Sequence, residues 1–179
     1  DDTGTFVTFK PDPTIFVECT TYDYELIHRR LKQVAYLNKG ITIEVKDTRD
    51  PENILKDTFC YEGGIKQYVE FLNEHKTKLI EEVIYCEGSE ALEKASANTA
   101  HVYAEVAIQY NDGYSKAVYS FCNNVHTHEG GTHEEGFRMA ITRVINAYAR
   151  DYRLLKENDD NLTYDDVCEG LTAIISVKH

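Results

Sequence analysis

His126, His128 and His133 stand close together in Val125-His126-Thr127-His128-Glu129-Gly130-Gly131-Thr132-His133. An H-x-H pair with a third imidazole nearby offers nitrogen ligands of the kind that hold zinc. A closed zinc site takes four ligands, however, and no thiol is placed beside these. The competing use is a polar, glycine-rich loop leading into a helix. Gly130-Gly131-Thr132 would then precede a helix N-terminus, where free N–H groups and the dipole favour an anion. Glu134 and Glu135 put negative charge at that same end and argue against one. The spacing and the lysine of a P-loop are missing, so a tight turn is the preferred reading.

A second group is basic. Arg138, Arg143, Arg150 and Arg153 interrupt an otherwise acidic chain. Positions 143 and 150 are seven apart and share a helix face, which makes either a local positive stripe or a solvated face paired with Asp151 and nearby acids. The whole chain has 179 residues, with 19 Lys+Arg against 31 Asp+Glu and a net charge of −12. So acidic a surface repels phosphates and excludes indiscriminate nucleic-acid binding. With 42% hydrophobic and 28% charged residues the chain is globular, of one domain or two small ones. No apolar run is long enough to span a bilayer. The five cysteines, at 19, 60, 86, 122 and 168, are odd in number and form no C-x-x-C pair. They read as reduced, buried thiols of a cytoplasmic protein, and nothing in the spacing selects Cys60 or Cys122 as a nucleophile. The opening Asp1-Asp2-Thr3 suggests a segment of something longer without a targeting signal.

The elements that would position these residues follow from periodicity. Thr5 to Lys10 alternates as a strand and stops at Pro11-Asp12-Pro13. Tyr24, Ile27, Leu31 and Val34 recur at helical spacing, with Thr21 and Asp23 ahead of them and Gly40 behind, predicting a helix over 24–37. Ile41 to Val45 reads as a strand and Asp47 to Asp57 as a charged loop. Gly63-Gly64 opens a second helix with Ile65, Tyr68, Val69 and Leu72 inward. Ile80 to Cys86 reads as a strand, and Glu87 to Asn98 as a polar, mobile stretch. His101 to Tyr110 and Ser115 to Cys122 flank Asn111-Asp112-Gly113 and predict a hairpin. Thr132 and Glu135 have the spacing of a capping box, ahead of a helix that buries Phe137, Ile141, Val144, Ile145 and Tyr148. Thr163 and Asp166 cap a short turn of helix, and Leu171 to Val177 suits the middle of a sheet. The sum is an α+β chain whose helices pack on one sheet.

Asn123-Asn124-Val125 through Gly130-Gly131-Thr132-His133-Glu134-Glu135-Gly136-Phe137-Arg138, continuing into Ala140-Ile141-Thr142-Arg143 and Asn146-Ala147-Tyr148, resembles the second domain of the bacterial DNA gyrase B family. Three further segments are similar to that family in the same order: Thr3-Gly4-Thr5 with Phe9 and Pro11-Asp12, Tyr61-Glu62-Gly63-Gly64-Ile65 with Tyr68 to Asn73, and Glu169-Gly170-Leu171-Thr172-Ala173 with Ser176-Val177-Lys178.

The resemblance implies a transducer domain, which relays ATP state to the DNA-cleaving core of a type II topoisomerase. Its fold would be a two-layer α/β sandwich of the ribosomal-protein domain-2-like (GHMP-like) type, with a left-handed β-α-β crossover. Residues 1–16 would be the last strand of a preceding GHKL ATPase domain and 17–179 the transducer, ending before the family's Gln-Thr-Lys loop. Thr5 would line the adenine pocket. Arg138 and Arg143 would face the cavity through which a duplex passes. No catalytic or metal-binding residue is implied in this segment. ATP and Mg2+ would serve the parent enzyme and none would bind here, so the segment alone is expected to be inactive. The partners would be duplex DNA, the gyrase A protein and a second copy of gyrase B, without a membrane. The B protein of topoisomerase IV shares most of these motifs, and Phe137 after Gly136 favours gyrase over it. A free-standing module with the histidine loop as ligand site is the competing class. Tyr164 and Cys168 depart from the family's usual glycine and arginine, which puts any ion pair built there in doubt.

Overall fold

Asp23 ends the N-terminal arm by turning its carboxylate onto the backbone N–H groups of Glu25 and Leu26, and the helix it caps is α1, Tyr24–Leu37. The computed structural model describes residues 3–18, 20–92 and 100–179. After α1 come β1 (Thr42–Asp47), β2 (Leu55–Cys60), α2 (Ile65–Leu72), β3 (Ile84–Leu92), β4 (Ala100–Tyr110), β5 (Ala117–Cys122) and β6 (Val125–His126). Then follow α3 (Thr132–Asp151), α4 (Tyr164–Val167) and β7 (Leu171–Lys178). β1 and β2 form a separate antiparallel pair, and the main sheet has the order β3-β4-β7-β5-β6.

β7 is the centre of this sheet, antiparallel to β4 and parallel to β5. Its apolar, β-branched sequence is buried from Leu171 through Ser176, as a strand covered on both faces must be. Alternation along the strand divides the covering elements. Ile174, Ala107 and Phe121 pack with Tyr36 and Leu37 of α1 and Ile65, Tyr68 and Val69 of α2. Leu171, Ala173, Ile108 and Val118 face the other way, toward Phe137, Ile141 and Ile145 of α3 and Val167 of α4. Helices therefore lie on both faces, which corrects the expectation of two layers. The sequence shows the run of apolar residues in β7 but not which helix takes which face.

The predicted hairpin between β4 and β5 does not form, because β7 lies between them. Asn111 is the reason. Its buried side chain donates to the Gly170 carbonyl and to Thr172 Oγ1, and its own N–H donates to Gly170, so the turn caps β7 instead of folding β5 onto β4. The tight hairpin is at Asn123-Asn124, between β5 and β6, where φ values of 50° and 66° meet the type I′ requirement.

Other expectations shift for local reasons. Thr5 to Lys10 forms no strand, since no partner strand reaches it among the described residues. Leu55 to Cys60, whose first residues fall in the expected loop, is β2 and pairs with β1. The strand expected at Ile80 starts at Ile84, and β3 continues through the stretch read as mobile as far as Leu92. Residues 93–99 lie outside the described ones. The Thr132 capping box is absent: Gly131 is the N-cap and no side chain caps the helix. Val144 and Tyr148 are 59% and 52% exposed. α3 is rolled so that Asn146 is buried instead, bonding the carbonyls of Thr142 and Leu162 and the N–H of Leu162. The capping box at Thr163 and Asp166 is present, with both reciprocal bonds. Cys60 and Cys86 are exposed, against the expectation of buried thiols, whereas Cys168 is fully buried.

Candidate functional site

The histidine loop uses its side chains on itself. His126 Nδ1 lies 3.1 Å from His128 Nε2, while His133 Nε2 turns to Thr127 Oγ1 at 3.1 Å. Burial, aided by His128 and Arg30, pushes His126 below the ordinary imidazole value. Among the described residues no group of three or more His, Cys, Asp or Glu side chains is placed to hold a metal ion. Negative charge at the helix start disfavours an anion there. Glu134 accepts from Ser120 Oγ at 2.5 Å and stands beside Gly130.

The outward side of α3 is different. Arg138, Arg143 and Arg150 line a groove of about 870 Å³ between α3 and residues 161–164, with Glu135 as the sole acid in its lining. The three guanidinium groups are not equivalent. Arg150 is held by the carbonyls of Lys156 and Asp159 and by Asn161 Oδ1, so it shapes the loop. Arg138 lies over the Tyr164 ring at 4.7 Å, with Glu135 4.0 Å away. Arg143 is exposed and its side chain has no ion pair or hydrogen bond among the described residues. A charge left solvated beside a partly apolar groove is available to an incoming anion.

Lys116 was not indicated by the sequence. It reaches Asp165 at 2.7 Å, lies 4.9 Å from the Tyr164 ring, and lines a smaller hollow together with Arg138. Only tertiary pairing places it there, so no local pattern could have shown it. Tyr164, noted only as a departure from the family, is the platform common to both cations. Burial and the adjacent Cys168 raise its hydroxyl well above the usual phenol range. Thr5, the other expected site residue, is exposed on the arm, makes no hydrogen bond among the described residues, and does not line the groove.

The groove lies within a region that a family model described as DNA gyrase B matches over residues 64–179. The chain belongs to the DNA gyrase B family. The DNA gyrase B protein of Staphylococcus aureus (strain MRSA252) is 48% identical over all 179 residues, and that of Streptococcus pyogenes serotype M1 is 52% identical over the same length. The chain spans 26% of each of these gyrase B proteins. Among solved structures, the 43K ATPase domain of Thermus thermophilus gyrase B, in complex with an aminocoumarin, matches with a TM-score of 0.74 and 32% identity. That match covers 95% of this chain and 43% of the other. A topoisomerase IV ATP-binding domain from Francisella tularensis shares the fold at a TM-score of 0.64 and 21% identity. The gyrase B match extends beyond the groove to the arm, which the family model leaves out but the two relatives cover.

Proposed function

We propose that this chain is the transducer segment of a DNA gyrase B protein, coupling ATP binding and hydrolysis to strand passage and supercoiling in an ATP-dependent type II topoisomerase. In this reading residues 17–179 are the transducer, with a left-handed β5–α3–β7 connection of the ribosomal-protein domain-2-like type. Residues 1–16 complete the sheet of the preceding ATPase domain, and the Gln-Thr-Lys loop follows. The parent enzyme works in the cytoplasm on duplex DNA, together with gyrase A and a second copy of gyrase B.

One observation carries the DNA-facing part of this reading: Arg143 stands uncommitted beside Arg138 on a groove whose lining holds a single acid, in a chain of net charge −12. Such a surface does not grip DNA, but it gives a passing phosphate backbone two cations to touch. ATP and Mg2+ belong to other parts of the parent. In this reading no step of hydrolysis is assigned to residues 1–179.

The test is the double variant Arg138→Gln with Arg143→Gln in full-length gyrase B, assembled with gyrase A. Supercoiling should fall more than ATP binding, with the larger effect at low salt, because a protein with two fewer phosphate contacts has a shallower salt dependence and the wild type loses its advantage as salt rises. Unchanged supercoiling would return both arginines to an ordinary solvated face.

A further inference from the structure

The two-residue turn between β5 and β6 does more than reverse the chain. Asn123 behaves as an extra backbone unit at the end of β7: its Oδ1 accepts from the His179 N–H at 3.0 Å, its Nδ2 donates to the His179 carbonyl at 3.2 Å, and its own N–H donates to Val177 at 2.8 Å. Asn124 faces the opposite way. Its Nδ2 donates to Asn38 Oδ1 at 3.1 Å, and its carbonyl accepts from Arg30 Nη2 at 2.9 Å, which ties the turn to α1. Asn38 is itself the C-cap of α1, with its Nδ2 on the Val34 carbonyl at 2.7 Å. A continuous polar chain thus runs from the point where β7 ends, through two adjacent asparagines, to the last turns of α1.

A hairpin turn alone does not require this. Positive φ at both positions is met by glycine, which has no side chain to bond. Asn124 Oδ1 is moreover buried without a hydrogen-bond partner, so the residue is not there because all its polar atoms are satisfied. Its amide is committed to one direction, toward α1.

We propose that Asn123 and Asn124 are positioning residues that clasp the end of β7 to α1, and that movement of one is passed to the other through this turn. The role rests on the transducer reading, because a relay needs a rigid link between the chain leaving β7 and the helix that follows the N-terminal arm. The clasp makes one body of the exit of the central strand and the C-terminal half of α1, with the β5–β6 turn as the bridge between them.

The test uses full-length gyrase B with gyrase A. Asn123→Gly and Asn124→Gly keep the backbone conformation and remove the side-chain bonds, and Asn123→Asp keeps the acceptor while losing the donor. ATP turnover and supercoiling are measured on the same preparations, together with amide hydrogen exchange at residues 30–38 and 176–179. The glycine variants should exchange faster in both segments, and supercoiling per ATP consumed should fall about fivefold or more, the lower range of ordinary site-to-site coupling. The aspartate variant should fall between. Turnover and supercoiling declining in parallel, or an unchanged ratio, would overturn the relay role. Unchanged exchange would overturn the clasp itself. A wild-type protein lacking ATP-dependent supercoiling would overturn the transducer reading instead, and the exchange measurement would still judge the clasp.

Discussion

The guanidinium carbon of Arg138 lies 4.7 Å from the centroid of the Tyr164 ring, and the ammonium group of Lys116 approaches the same ring at 4.9 Å. One aromatic side chain therefore organises two cations from different elements. A cation over an exposed ring is worth about 0.5–1 kcal/mol, and the ring also packs against the cluster around Val167 and Leu171. Tyr164→Phe keeps the π-face and should change stability by less than about 0.5 kcal/mol. Tyr164→Gly removes the ring and places glycine in a helical turn, and should cost about 2 kcal/mol or more. Urea unfolding of the two variants checks this, and equal losses would show that the ring does not organise this corner.

Gly170 has a φ of +70°, and a Cβ built there would stand 2.3 Å from the Asn111 carbonyl oxygen. Backbone, not a flexible side chain, is in the way. Gly170→Ala should destabilise by more than about 2 kcal/mol, from the left-handed conformation and the lost close approach together. Circular dichroism melting would show it, and a near-native melting temperature would mean that the β4–β7 junction yields easily.

This junction also shows what the sequence could and could not reveal. Asn111-Asp112-Gly113 carries the local signature of a hairpin, but nothing local records that β7, synthesised some sixty residues later, will occupy the place beside β4. Asn123-Asn124, with the same preference for positive φ, is inconspicuous in the sequence because β6 is only two residues long. α1 was legible because its cap and its stripe agree. The groove was half legible: Arg138 and Arg143 fall within one predicted helix, whereas Lys116 and Tyr164 meet them only in the folded chain.

Glu44 is held by Lys56 across the β1–β2 pair at 2.8 Å and by Lys46 at 2.9 Å. These bonds, Lys56 first, lower its carboxyl to about 2 from 4.5. A depressed carboxyl contributes stability that is fully present above its unfolded value and is lost as pH falls through the folded one. The window therefore runs from about 4.5 down to about 2. NMR titration of the Glu44 carboxyl should give a midpoint well below the usual range at low salt, moving upward in Lys56→Gln. Because the group is exposed, about 1 M salt should also move it upward, by screening over a Debye length of about 3 Å. A midpoint near 4.5 at low salt would show the lysines to be too mobile to matter.

A protein consisting of residues 1–179 should not hydrolyse ATP, since in the proposed reading the groups that position charge and metal around the terminal phosphate lie in other parts of the parent. A coupled phosphate-release assay checks this. Turnover that Thr5→Ala abolishes would contradict it.

The strand at the centre of the main sheet is also the last in order among the strands of the described residues. During synthesis β4 and β5 emerge before the strand that separates them in the folded sheet, and both wait for residues 171–178 to join them. The pairing of β4 with β7 spans more than sixty residues, a long loop to close before any ladder bond rewards it. Until then the nascent chain exposes unpaired edges, and cooperative folding is a late, all-at-once event that any stop before Leu171 would prevent.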